Sequence, residues 1–222
     1  MFKYRDMTVP EIIRKNYMQL KYRATWLFYR KKRILKSDIR DVIKKRSNGS
    51  EIKLNICCGD KAYPQYINID IVPREGVDIV MDCPADMYLV PSKIASEIVI
   101  EAGLEHFYRY QQEGLLSECH RILADKGRLV LKWIPDFDLI IKEYLKSGDN
   151  GNKYFDIQEV YRLVCGAPNA NNSPYQLHKD IFTKSSTRKL LEQHSFKIED
   201  LSDKMVPGEK CLIFFDAVAV KQ

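Results

Sequence analysis

Residues 52–70 constrain the fold more than any other part of this chain. An apolar run, Ile52-Lys53-Leu54-Asn55-Ile56, breaks into Cys57-Cys58-Gly59-Asp60, and a second run, Tyr66-Ile67-Asn68-Ile69, ends on Asp70. A strand, a turn of small residues, a second strand and an acid at its tip are how an open α/β sheet grips a nucleoside. The turn lets backbone approach the ligand, and the carboxylate accepts hydrogen bonds from ribose hydroxyls. The pattern predicts a protein that binds a nucleoside cofactor.

The rest of the chain agrees with such a sheet. Strand patterns fall at 52–57, 66–70, 77–81, 96–101, 127–133, 195–200 and 211–220, and helix patterns at 103–124, 136–147, 155–165 and 184–194. Alternation of this kind predicts an α/β, doubly wound, mostly parallel sheet covered on both faces. The connection holding Tyr63-Pro64 is short and predicts at most one helical turn between the first two strands. The long apolar run after Pro207-Gly208 predicts a closing strand inserted antiparallel.

Charge divides the chain in two. Residues 1–50 hold 15 Lys and Arg against 4 Asp and Glu, a net of +11; the remainder holds 21 against 26, a net of −5. The basic excess therefore belongs to the N-terminal segment. Thr8-Val9-Pro10-Glu11 reads as a helix start, and apolar positions from Ile12 to Ile43 predict two helices split near Ser37-Asp38, followed by a linker at Ser47-Asn48-Gly49-Ser50. The expected organisation is a basic helical extension over 1–50 and an α/β domain over 51–222. Residues 1–46 admit three roles: a solvated cap that packs on a partner or lids the site, an interfacial segment on anionic lipid, or a nucleic-acid arm. The acidic balance of the remainder argues against a long phosphate track.

No uncharged apolar stretch is long enough to span a membrane, and Met1-Phe2-Lys3-Tyr4-Arg5-Asp6 lacks the apolar core of a secretory signal. The six cysteines, at 57, 58, 83, 119, 165 and 211, are scattered. No Cys/His cluster has zinc spacing. Reduced thiols, a cytoplasmic location with a membrane-peripheral option through 1–46, and no metal are the expectations. The sequons Asn48-Gly49-Ser50 and Asn171-Asn172-Ser173 read as chance matches in that setting.

Leu54-Asn55-Ile56-Cys57-Cys58-Gly59-Asp60 resembles the opening turn of class I S-adenosylmethionine-dependent methyltransferases. The likeness continues through Tyr66 to Pro73, Val77-Asp78-Ile79-Val80-Met81-Asp82, Leu104-Glu105-His106-Phe107, Lys126-Gly127-Arg128-Leu129, Pro135-Asp136-Phe137-Asp138 and His178-Lys179-Asp180-Ile181-Phe182-Thr183. Its order and spacing are similar to a small bacterial branch linked to cell-surface saccharide pathways, and it spans about residues 52–200. The resemblance implies a Rossmann-like seven-stranded domain that takes S-adenosylmethionine and methylates a hydroxyl of a small molecule or saccharide.

The implied cofactor contacts are Asn55, Cys57, Cys58, Gly59, Asp70, Ile71, Asp82, Cys83 and Glu101. The turn would border the aminoacyl end, Asp70 the ribose, Asp82 and Cys83 the adenine, and Glu101 the methionine portion. Removing a hydroxyl proton calls for a base near neutrality; His106, His178 and Asp136 are the candidates. Asp138, Tyr175 and Trp133 are candidate acceptor contacts. Cys57 stands where the family's turn carries its first glycine, which keeps open a binding scaffold without turnover. The basic arm keeps open an RNA methyltransferase. A full Gly-x-Gly-x-x-Gly fingerprint is absent, which sets a nicotinamide enzyme last.

Overall fold

Val, Ile and Leu dominate the central strands on both faces, the signature of a sheet buried on two sides. In the computed structural model, Leu54, Ile56, Ile98, Ile100, Leu129 and Leu131 are all at most 1% exposed. The structure describes residues 36–147, 155–166, 174–205 and 211–222. The helix expected over 9–46 therefore lies outside them as far as residue 35, as do the sequon at 171–173 and the turn at Pro207-Gly208.

The strands are β1 (Ile52–Ile56), β2 (Ile67–Asp70), β3 (Ile79–Val80), β4 (Ala95–Glu101), β5 (Leu123–Pro135), β6 (Phe196–Lys204) and β7 (Phe214–Lys221). They form one sheet in the order β3-β2-β1-β4-β5-β7-β6. The first five run parallel, and β7 is antiparallel to both of its neighbours, as expected for the closing strand. The chain reverses direction of winding between β1 and β4. In open α/β sheets the crevice at that point, outside the carboxyl ends of the strands, is where ligands bind.

The described α-helices are α1 (Lys36–Ser47), α2 (Arg109–Ile122), α3 (Phe137–Ser147), α4 (Ile157–Cys165) and α5 (Lys184–Gln193). Helix α2 seals the sheet with Leu115, Leu116, Cys119 and Ile122, each fully buried. Asp156 caps α4 by accepting the Gln158 and Glu159 N–H groups, and Thr183 caps α5 through Ser186. None of the described helices is long and apolar enough to cross a membrane.

Two boundaries differ from the sequence expectation. The helix expected from 103 begins only at Arg109, because Leu104–His106 forms a 3-10 turn and Phe107 is extended. Gln112 Nε2 donates to Phe107 O at 2.9 Å and holds that break open. Strand β5 runs beyond 127–133 at both ends, through a bulge near its start and another at Trp133. Between β1 and β2 there are only turns, in line with the short connection.

Candidate functional site

Strand β1 delivers the chain into Cys57 at φ +58°, followed by Gly59 at φ +53°. Cys58 N–H donates to Ile69 O at 3.1 Å and stitches the turn to β2. Asp70, at the tip of β2, is 9% exposed. Its Oδ2 accepts Gly59 N–H at 2.9 Å and its Oδ1 accepts Val72 N–H at 2.8 Å. Each carboxylate oxygen has two lone pairs, so each keeps one for a further donor.

A Cβ built on Gly59 would meet nothing within 4 Å, so that face of the turn is open. The Cys57 side chain turns elsewhere: a Cβ on Gly103 would lie 3.4 Å from Cys57 Cβ and 3.0 Å from Ile100 Cγ2. The tight contact there is with Ile100, while Cys57 would be met at ordinary van der Waals distance. Burial holds the Cys57 thiol well above its ordinary value and raises Cys58 to about 12, so neither is a ready nucleophile. An open turn beside a carboxylate with spare acceptor capacity fits an adenosyl group.

Glu101, at the end of β4, is 8% exposed. Lys61 Nζ reaches its Oε1 at 2.7 Å, and Tyr63 O–H donates to its Oε2. The same ammonium lies 3.3 Å from the Trp133 ring centroid. Trp133 has φ +57° at the β5 bulge, and its N–H donates to Asp216 Oδ1 at 2.9 Å. Ala102 follows β4 at φ +46°, its N–H donating to Lys132 O at 2.9 Å. Cys57, Ala102 and Trp133 thus place left-handed, non-glycine backbone at the carboxyl ends of β1, β4 and β5. Such strain persists where surrounding structure over-determines it, and it gathers at functional sites.

The histidines come together from distant segments. A parallel bridge between Asp136 and Phe182 lays the chain before α5 along the end of β5. Lys179 N–H donates to Glu105 O at 2.8 Å. His106 Nδ1–H donates to Leu177 O at 3.2 Å and His178 Nδ1–H to Leu163 O at 2.8 Å, so each ring keeps its lone pair on Nε2. The ring centroids are 5.0 Å apart, edge to face. Burial lowers the pKa of both, to about 4 at His178. Beside them Glu105 is 3% exposed; burial raises its carboxyl to about 7, and its Oε2 has no hydrogen-bond partner.

Asp136 is equally enclosed. Its Oδ1 accepts Asp138 N–H at 3.1 Å, while its buried Oδ2 has no hydrogen bond and faces the Lys184 ammonium at 3.8 Å. Burial raises its pKa. Asp138 is exposed in the first turn of α3, and Tyr175 is half-buried in a 3-10 turn, Pro174–Gln176.

Among the other expected cofactor contacts, Asn55 is engaged within the loop, its amide donating to Lys61 O at 2.8 Å and Asn68 Oδ1 at 2.9 Å. Ile71 is half-buried directly past Asp70. Met81 N–H donates to Asp70 O at 2.9 Å, which brings exposed Asp82 and buried Cys83 alongside the tip of β2. Sequence reasoning passed over Lys61, Tyr63, Glu105 and Asp216. Glu105 lay inside a quoted motif, but its burial depends on contacts far along the chain.

No protein-family model matches this sequence, and no curated protein matches it. Solved structures share its fold. A Listeria monocytogenes protein assigned to the S-adenosylmethionine-dependent methyltransferases superposes with a TM-score of 0.54 at 12% identity, over 78% of this chain and 91% of its own. The Burkholderia thailandensis 1,6-didemethyltoxoflavin-N1-methyltransferase, solved with 1,6-didemethyltoxoflavin and S-adenosylhomocysteine, gives 0.51 at 14% identity over 97% and 92%. A SAM-dependent methyltransferase from Archaeoglobus fulgidus gives 0.51 at 16% identity over 88% and 98%. The likeness is one of fold: this chain has the Rossmann-like sheet of class I methyltransferases.

Proposed function

We propose that this protein transfers the methyl group of S-adenosylmethionine to a hydroxyl of a small molecule or saccharide. The observation that carries the reading is the Asp70 carboxylate, held against an open turn at the switch point of the sheet with a lone pair free on each oxygen. Asp70 would accept the ribose hydroxyls. Glu101 would receive the ammonium of the aminoacyl end, displacing the Lys61 cation that now occupies it. The bound sulfonium supplies an electrophilic methyl group, leaving the protein to align the acceptor and manage its proton.

His106 is the proposed proton acceptor, because its Nδ1–H is committed to Leu177 O, which leaves Nε2 as the basic nitrogen of the neutral ring. His178 braces that ring edge-on. Trp133 and Tyr175 offer aromatic faces to a sugar ring, and Asp136 and Asp138 stand at the end of β5 as partners for its hydroxyls.

Calorimetry with S-adenosylmethionine tests the reading. Wild-type protein is expected to bind, and Asp70→Ala to weaken binding by about 1–3 kcal/mol, the cost of losing a charged acceptor. Thermal unfolding without cofactor separates that loss from damage to the turn. No heat and no thermal shift with the wild type at millimolar cofactor would overturn the proposal.

A further inference from the structure

Glu105, His106 and His178 stand together as a cluster of possible ligands. One ligand atom from each lies within 4.8 Å of the others. Both imidazoles spend their Nδ1–H on backbone carbonyls, Leu177 O and Leu163 O, so both present Nε2 lone pairs. Glu105 Oε2 is buried and has no donor at all. A buried carboxylate oxygen left without a partner costs about 1–3 kcal/mol or more.

We propose that these three residues form a site for a divalent transition-metal ion of the zinc class. Two imidazoles with one carboxylate select such borderline ions over magnesium or calcium. The carbonyls of Leu177 and Leu163 supply the outer support that orients metal-binding histidines and fixes their tautomer. The Lys179 N–H to Glu105 O bond ties the two contributing segments together through backbone. Tetrahedral bonds of about 2.0–2.1 Å place ligand atoms roughly 3.3 Å apart, so side-chain rotation closes the cluster on an ion. Glu105 and His178 also line one small cavity with Pro135, Phe137 and Phe182.

The site goes beyond methyl transfer and shares His106 with it. The Nε2 lone pair of His106 serves one role at a time, as proton acceptor in the cation-free protein and as ligand in the loaded one.

The test uses the full chain, stripped with chelator and titrated with Co2+, followed by displacement with Zn2+. One equivalent of cobalt is expected, with visible ligand-field absorption and no thiolate-to-cobalt charge-transfer band. Glu105→Gln and His178→Ala should each lower affinity at least about tenfold, with metal-free unfolding midpoints showing that the variants fold. Glu105→Gln preserves shape and loses only the anionic ligand. No stoichiometric uptake, a thiolate band, or unchanged affinity in a folded variant would overturn the proposal. Binding of S-adenosylmethionine to the stripped protein is measured separately, so failure of either reading is distinguishable from failure of the other.

Discussion

Cys57 holds a backbone conformation that L side chains avoid, at the residue where the turn after β1 begins. The left-handed region costs a non-glycine residue about 1–2 kcal/mol, and glycine returns part of that through its larger unfolded-state freedom. Two substitutions separate backbone from side chain. Cys57→Ala keeps the strain and loses the sulfur; Cys57→Gly loses both. Cys57→Gly is therefore expected to be the more stable of the two by about 1 kcal/mol, a difference of roughly 2–4 °C in unfolding midpoint for a domain of this size. Equal midpoints would mean that the strain at this residue does not exceed the entropy cost of glycine. The place of Asp70 was legible at this scale, because an acid at the end of an apolar run falls at a strand tip. Glu105 was not, because nothing local to Leu104-Glu105-His106 announces that the chain before α5 will cover it.

At the scale of elements, the strand pattern predicted all seven strands and their alternation with helices, since apolar runs bounded by turn residues are a local signal. The failures were local conflicts settled by long-range contacts. The break before α2 is held by a side chain inside that helix, Gln112, reaching back to Phe107 O. The lengthening of β5 depends on β7, a partner far along the chain. Opposite Leu131–Ile134, β7 is one residue short, and the surplus falls at Trp133. Asp216 satisfies the N–H left over. The bulge thereby sets the indole beneath Lys61 and so positions the cation that pairs with Glu101. Asp216→Ala should destabilise the protein by about 1–2 kcal/mol, the cost of an unpartnered, partly buried donor. Asp216→Asn retains an acceptor oxygen and should stay near wild type. Chemical denaturation of the two variants checks this; equal losses would assign the effect to the charge rather than to the bulge.

Across the whole molecule, stability and the candidate site pull against each other. The sheet's apolar interior supplies the folding energy, while its carboxyl edge holds left-handed residues and two buried carboxylate oxygens without hydrogen bonds, on Glu105 and Asp136. Proteins keep such features where function needs them, at a cost in stability. Asp136 allows a direct measurement. Burial raises its pKa, so the folded state binds its proton more tightly than the unfolded chain does. The resulting stabilisation is complete below the ordinary aspartate range and is lost as pH rises through the raised value. Asp136→Asn removes the charge yet keeps an oxygen for Asp138 N–H, and Lys184 retains its second partner, Asp203. The variant should therefore unfold at a higher temperature than wild type at neutral pH. The gap should close as the pH is lowered, because the wild-type carboxyl then carries its own proton. Unfolding midpoints measured across the acidic to neutral range decide it. Parallel profiles, or a variant less stable at neutral pH, would show that Lys184 compensates the buried charge and that the carboxyl edge of β5 is no burden on the fold.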